Sequence, residues 1–446
     1  MECGGKKMVL KSIRTSKKLD GDDEEEAILL SPGSRMFHEP NYNIHIIAIM
    51  GWKIPLDINS LKAQIPSKLL KHPRFSSLQV MDESGEMRWV PTTVNIDDHV
   101  IVPQLDVNNN NMDTDKLVEQ YISNLSTTSI DISKPLWDIH ILNVKTSHAE
   151  ATSIFRFHHS LGDGIALMSL LLSCFRKTSD PTSLPTLPVS SKNKSNSKNI
   201  RSLIWQYIVK LWLLIRLLFN TVVDVLLFIA TALFLKDSQS PFTVAKGFNK
   251  KHSTGQRFIY RTVSLDDIKF IKNATNATIN DVILGITQAA LSRYINRKYD
   301  VEGKMKEQMR CRATVLVNLR PALGVQAVAE MIEKNAILFL NLFGFKGATK
   351  LAKRVPSQTT LAFSNVAGPL EEVSFSGHPL AFLAPTCYGQ PTGLMVHACS
   401  YAKKLTFAIT VDEGMISDPN QLGDDFVHSF ISINEAALSK FRTKVD

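Results

Sequence analysis

The chain has 446 residues, 44% of them hydrophobic and 21% charged, which is long enough for two domains with sizeable cores and too apolar for a disordered protein. A formal net charge of +9 favours an acidic partner, whether nucleic acid, an anionic membrane surface or a phosphate-bearing cofactor, and the sign does not choose among them. Five scattered cysteines, Cys3, Cys174, Cys311, Cys387 and Cys399, form no CxxC pair, which fits a reducing compartment without disulfides.

Residues 1–27 read as a flexible charged tail. Positions 1–19 are basic without the apolar core of a signal peptide, and 20–26 are almost wholly acidic. A first folded half spans 28–175. Strands are expected at 43–49, 87–90, 94–96 and 138–144, and helices at 57–71, capped by Asp57 or Asn59, and at 115–125. This alternation argues for a mixed α/β layer.

The half ends on Phe155-Arg156-Phe157-His158-His159-Ser160-Leu161-Gly162-Asp163-Gly164. Residues 152–157 suit a strand and 165–175 an apolar helix, so the two histidines fall at the turn between them. A lone histidine beside an apolar segment is usually a core residue; two in a short Gly-Asp-Gly turn point to chemistry. A metal site is disfavoured, because neighbouring residues do not face one way and no Cys or Glu stands at ligand spacing.

Residues 176–256 combine a Ser-, Pro-, Lys- and Asn-rich linker with an apolar helix at 203–235. On a helical wheel, Gln206, Lys210, Arg216, Asn220, Asp224 and Thr231 share one arc, which suits a helix lying in a membrane interface or entering it shallowly. If the active site forms between the halves on either side, a single crossing separates them, so an interfacial or re-entrant anchor is favoured over a span, with a buried core helix as a third reading.

The second half, 257–446, opens with a strand at 258–263 and a helix start at Ser264. Thr278-Ile279-Asn280-Asp281 begins a long helix, 314–321 ends a strand in Val-Asn-Leu-Arg-Pro, and Ser364-Asn365-Val366-Ala367-Gly368-Pro369 forms a turn. A strand at 405–412 and a helix at 418–438 close the chain.

The His-His-x-x-x-Asp-Gly run resembles the HHxxxDG signature of the wax ester synthase/diacylglycerol acyltransferase family. Pro135-Leu136-Trp137, Asn280-Asp281, the 317–321 block, the 364–369 turn and Gly389-Gln390-Pro391 extend the resemblance over 28–438, nearest to the plant branch. It implies an α/β fold of two chloramphenicol acetyltransferase-like halves with mixed sheets. It also implies transfer of an acyl group from acyl-CoA, a co-substrate rather than a bound cofactor, to a long-chain alcohol or diacylglycerol. His159 would be the general base. His158 and Asp163 complete the motif, Asp163 holding the turn through a buried ion pair, while Gly162 and Gly164 allow a tight turn and leave room for ligand. Asn280 would donate to the oxyanion or orient substrate, with helix capping the plain alternative for Asn280 and Asp281; Asn365 belongs to the turn that supports the channel. Localisation on the endoplasmic reticulum membrane follows, halves facing the cytosol, with the plasma membrane as a second location. No metal or nucleic acid is implied.

Relatives carry several tens of further residues where this chain passes from Lys334 to Asn335, which is expected to weaken the second half. Two alternatives therefore stand beside the acyltransferase: a non-catalytic lipid-binding relative, and a soluble transferase of the same fold acting on small alcohols or amines.

Overall fold

The computed structural model describes residues 28–40, 42–105, 113–187, 203–235, 237–238, 240–242, 255–302, 309–316, 347, 350, 354 and 358–445. The Lys334–Asn335 junction and the 317–321 block lie outside them.

In chain order the elements begin β1 (Ile28–Leu29), α1 (Pro32–Met36), β2 (His45–Trp52), α2 (Ile58–Lys68), β3 (Ser77–Met81) and β4 (Met87–Pro91). There follow β5 (Val100–Ile101), α3 (Thr114–Leu125), β6 (Trp137–Leu142), β7 (Ala151–His158), α4 (Gly164–Cys174), β8 (Arg176–Lys177) and α5 (Leu203–Leu233). The C-terminal part holds β9 (Gln256–Ser264), α6 (Leu265–Thr275), α7 (Ile279–Glu302), β10 (Ala313–Leu316) and β11 (Leu361–Ala367). It ends with β12 (Val373–Phe375), β13 (His378–Tyr388), β14 (Leu394–Tyr401), β15 (Lys404–Asp412) and α8 (Pro419–Val445).

Caps set several of these bounds. Asp57 accepts from the Asn59 N–H and starts α2; Ser264 accepts from the Asp267 N–H and starts α6. The strand expected at 94–96 is instead a helical turn at 96–98, because the Asn95 side chain accepts from the Asp97 N–H and curls the chain before β5.

Two larger sheets hold the molecule together. One runs β5-β6-β7-β2-β13-β12-β8 and the other β10-β11-β14-β15-β9. The halves expected from sequence share the first: β13, from the C-terminal part, pairs antiparallel with β2 from Leu380↔Trp52 to Tyr388↔His45, and β12 pairs with β8. Gly51 permits this pairing, since a Cβ there would sit 2.1 Å from the Phe382 ring. The start of the expected linker is likewise structured. Lys177 Nζ and Thr186 Oγ1 reach Glu371 at 2.7 and 2.6 Å, stitching residues 176–187 to the far side of the chain.

No described side chain of helix α5 is buried. Tyr207–Thr231 has a mean hydropathy of 2.2 with none of that stretch buried, which removes the core-helix reading. At about 1.5 Å per residue its 31 residues extend roughly 46 Å. Both its flanks return to one body: upstream through β8 on β12, downstream through Asp237, which accepts from the Arg312 N–H at 2.8 Å and from Thr360 Oγ1 at 2.6 Å.

Candidate active site

Strand β7 sorts the histidine motif by alternation. Ser153, Phe155 and Phe157 face a cavity, while Arg156 and His158 face away from it. The chain then enters a short helical turn at 159–161, whose first residue, His159, is held by its N–H to the Ile44 carbonyl at 2.9 Å.

His158 is bonded at both ring nitrogens. Nε2 lies 2.8 Å from Asn43 Oδ1 and 3.2 Å from the Phe37 carbonyl, both acceptors, so Nε2 carries the proton. Nδ1 then accepts from Ser160 Oγ at 2.6 Å, and Ser160 Oγ accepts from Gln79 Nε2 at 2.8 Å. Burial first, then the nearby His38 and His45, push its pKa down to about 2, so it stays neutral and occupied.

His159 is different. Its ring is half-buried, stacked on Phe37 with centroids 4.1 Å apart, and lines the cavity. Nδ1 is buried with no hydrogen-bond partner of full geometry. Burial lowers its pKa, opposed by its own main-chain carbonyl and by Asp163.

Asp163 does not sit in the buried setting expected of it. It is exposed and caps α4, accepting from the Ala166 N–H at 2.9 Å. It also faces Arg74, whose pKa burial lowers and Asp163 supports. The buried pair of this region lies elsewhere, where Arg156 grips Asp138 through Nε at 3.0 Å and Nη2 at 2.6 Å. Gly162, at φ 172°, is extended backbone open to any residue, so no tight turn demands it; Gly164 lines the cavity with open space where a Cβ would point.

Asn280 and Asp281 are exposed. Asp281 and Thr278 cap α7 reciprocally: the carboxylate accepts from the Thr278 N–H at 2.8 Å, and Thr278 Oγ1 accepts from the Asp281 N–H at 3.2 Å. Asn365 Nδ2 donates to Asn280 Oδ1 at 2.6 Å, and neither asparagine lines the cavity with His159. No group of three His, Cys, Asp or Glu side chains gathers to hold a metal among the described residues.

The cavity is open to solvent, and about 1300 Å³ of space, open solvent included, lies along its lining. One wall is the alternating row Ile46, Ala48, Met50 and Trp52 of β2; α2 and α4 supply others through Leu61, Ile65, Leu167 and Met168. Trp52, stacked on Phe175 at 6.1 Å, and Phe375, 5.8 Å from Phe175, stand at the end remote from His159. Six residues of strand at about 3.3 Å each put Trp52 roughly 20 Å from Ile46.

Ser364, Thr386 and His397, from the C-terminal part, line the same cavity. Sequence reasoning missed His397 because a lone histidine between Val396 and Ala398 carries no motif. Only its topology, in a strand beside β11, brings it to the site.

The sequence model of the wax ester synthase/diacylglycerol acyltransferase catalytic domain matches residues 38–283, and that of the WS/DGAT C-terminal domain matches 326–434. Wax ester synthase/diacylglycerol acyltransferase 11 of Arabidopsis thaliana is 40% identical, with 94% of this chain and 96% of the relative covered. The corresponding protein 4 is 39% identical, with 96% and 94% covered. The alignment with protein 11 has 474 positions, whereas 94% of 446 residues is about 419, so about 55 positions have no counterpart in this chain. Among solved structures, the wax ester synthase/diacylglycerol acyltransferase from Marinobacter aquaeolei VT8 superposes with a TM-score of 0.57 at 16% identity, over 92% of this chain and 99% of that one, and shares the two-part α/β fold. On these matches, the chain belongs to the wax ester synthase/diacylglycerol acyltransferase family.

Proposed function

We propose that this chain is an acyl-CoA-dependent O-acyltransferase that esterifies a long-chain alcohol or diacylglycerol, with His159 as its general base. The observation that carries the reading is His159 at one end of an apolar cavity whose wall follows β2 from Ile46 to Trp52, roughly 20 Å of strand. Carbon–carbon bonds of about 1.52 Å at tetrahedral angles advance about 1.25 Å per carbon, so an extended chain laid along that wall matches its length with roughly sixteen carbons. Each methylene buried there contributes about 0.8 kcal/mol to binding.

The chemistry follows from the ring's two nitrogens. With Nδ1 protonated toward its own carbonyl, Nε2 offers a lone pair to the acceptor hydroxyl. As the alcohol oxygen bonds to the thioester carbon, its proton passes to Nε2; when the C–S bond breaks, the departing thiolate takes that proton back. Ester and coenzyme A leave, and the histidine is neutral again. Phe37 keeps the ring plane fixed throughout.

Helix α5 is the membrane contact in this reading. Because both flanks return to one body, α5 lies within one face of the bilayer, its charged arc toward the headgroups, on the cytosolic side of the endoplasmic reticulum where acyl-CoA is present.

Incubating purified protein with labelled palmitoyl-CoA, and hexadecanol or diacylglycerol in parallel, tests the activity. Ester is expected with at least one acceptor and none from His159→Ala; no ester from the wild-type protein would favour the non-catalytic alternative.

A further inference from the structure

The reaction needs a second function besides the base: donors to the thioester oxygen as it takes on negative charge. Asn280, the residue expected for this task, is exposed, bonded to Asn365, and absent from the cavity wall. His158 has both nitrogens occupied.

The polar side chains on the wall contributed by the C-terminal part are Ser364, Thr386 and His397. Ser364 and His397 are register partners on the adjacent parallel strands β11 and β14, so their side chains stand side by side on one face. Thr386 reaches across from β13: its Oγ1 lies 3.3 Å from His397 Nδ1 and 2.6 Å from Thr410 Oγ1. Both contacts can run in either direction; when Thr410 donates to Thr386, and Thr386 to Nδ1, the imidazole carries its proton on Nε2, the nitrogen left for the cavity.

We propose that His397 Nε2–H and Ser364 O–H bind the thioester oxygen and hold it as an oxyanion, with Thr386 and Thr410 fixing the donating tautomer of His397. The assignment rests on acyl transfer at His159. In the addition step the carbonyl electron pair moves onto oxygen as the alcohol bonds to carbon. It returns as the C–S bond breaks, and neither donor gives up its proton.

The surroundings suit a donor that never ionises. Burial, and then the nearness of His159, push the His397 pKa down to about 3, so it remains a neutral imidazole when His159 becomes cationic. A second cation beside His159 would oppose the proton transfer that the reaction requires.

The test is kinetic. Ser364→Ala and His397→Leu are each expected to lower kcat on the order of 10²- to 10³-fold. The KM for acyl-CoA, and binding of an unreactive thioether analogue, are expected to change little, since the contact forms in the transition state. His397→Gln, which keeps an N–H donor, recovers part of the loss, and Thr386→Val lowers kcat through the lost tautomer control. Should His397→Leu fail to fold, Ser364→Ala and His397→Gln decide the matter. If the wild-type protein forms ester and His159→Ala does not, yet Ser364→Ala and His397→Leu keep wild-type kcat, the oxyanion assignment is overturned while the base stands. If His159→Ala retains full turnover, both are overturned.

Discussion

His158 and His159 are neighbours in sequence and opposites in environment: His158 is hydrogen-bonded at both ring nitrogens behind the sheet, whereas His159 stacks on Phe37 and faces the cavity. Replacing His158 is therefore a structural loss. His158→Ala takes from Asn43 Oδ1 the imidazole donor it has here, at about 1–3 kcal/mol. The melting temperature should fall, while kcat measured well below melting stays within a small factor of wild type. A lost kcat at an unchanged melting temperature would place His158 in the reaction.

Asp163 acts through the backbone of α4, so the substitutions separate by capping ability. Asparagine caps about as well as aspartate, and alanine costs about 1 kcal/mol. Asp163→Asn should melt near wild type and Asp163→Ala lower. Equal losses would show that the charge, through Arg74, outweighs the cap.

The cavity's far end should set acyl length. Removing the Phe375 ring by Phe375→Ala opens space beyond Trp52, and Ala48→Leu narrows the cavity midway. Competition among dodecanoyl- to eicosanoyl-CoA should show the first variant shifted to longer chains and the second to shorter ones. An unchanged preference in both would place the acyl chain elsewhere.

The topology of α5 has a direct readout. In sealed microsomes, protease added outside should cut the chain on both sides of the helix, since the paired strands β2 and β13 tie the two flanks to one compartment. Protection of one flank would require a crossing and contradict the shared sheet.

Much of this architecture was legible from local signals. The Asp57 and Ser264 caps and the strand-like run at 152–157 placed their elements nearly where they are, and the His-His-x-x-x-Asp-Gly run marked the strand-to-turn junction. What escaped was non-local. No periodicity within 378–388 announces that this segment will pair with His45–Trp52, and nothing around His397 announces that Ser364 will stand beside it. The burial expected around Asp163 is absent for a related reason: nothing local to a carboxylate before an apolar helix says whether its turn will face the core or solvent.

The most direct test of His159 as the base is the pH dependence of kcat/KM for ester synthesis. Burial lowers the His159 pKa from 6.5, so protonation removes the base only below that value. Activity should hold through neutral pH and fall on a single acid limb whose midpoint lies below 6.5, and His159→Ala should lack turnover at every pH. An acid limb centred at or above 6.5, or a His159→Ala protein with a wild-type profile, would contradict the account.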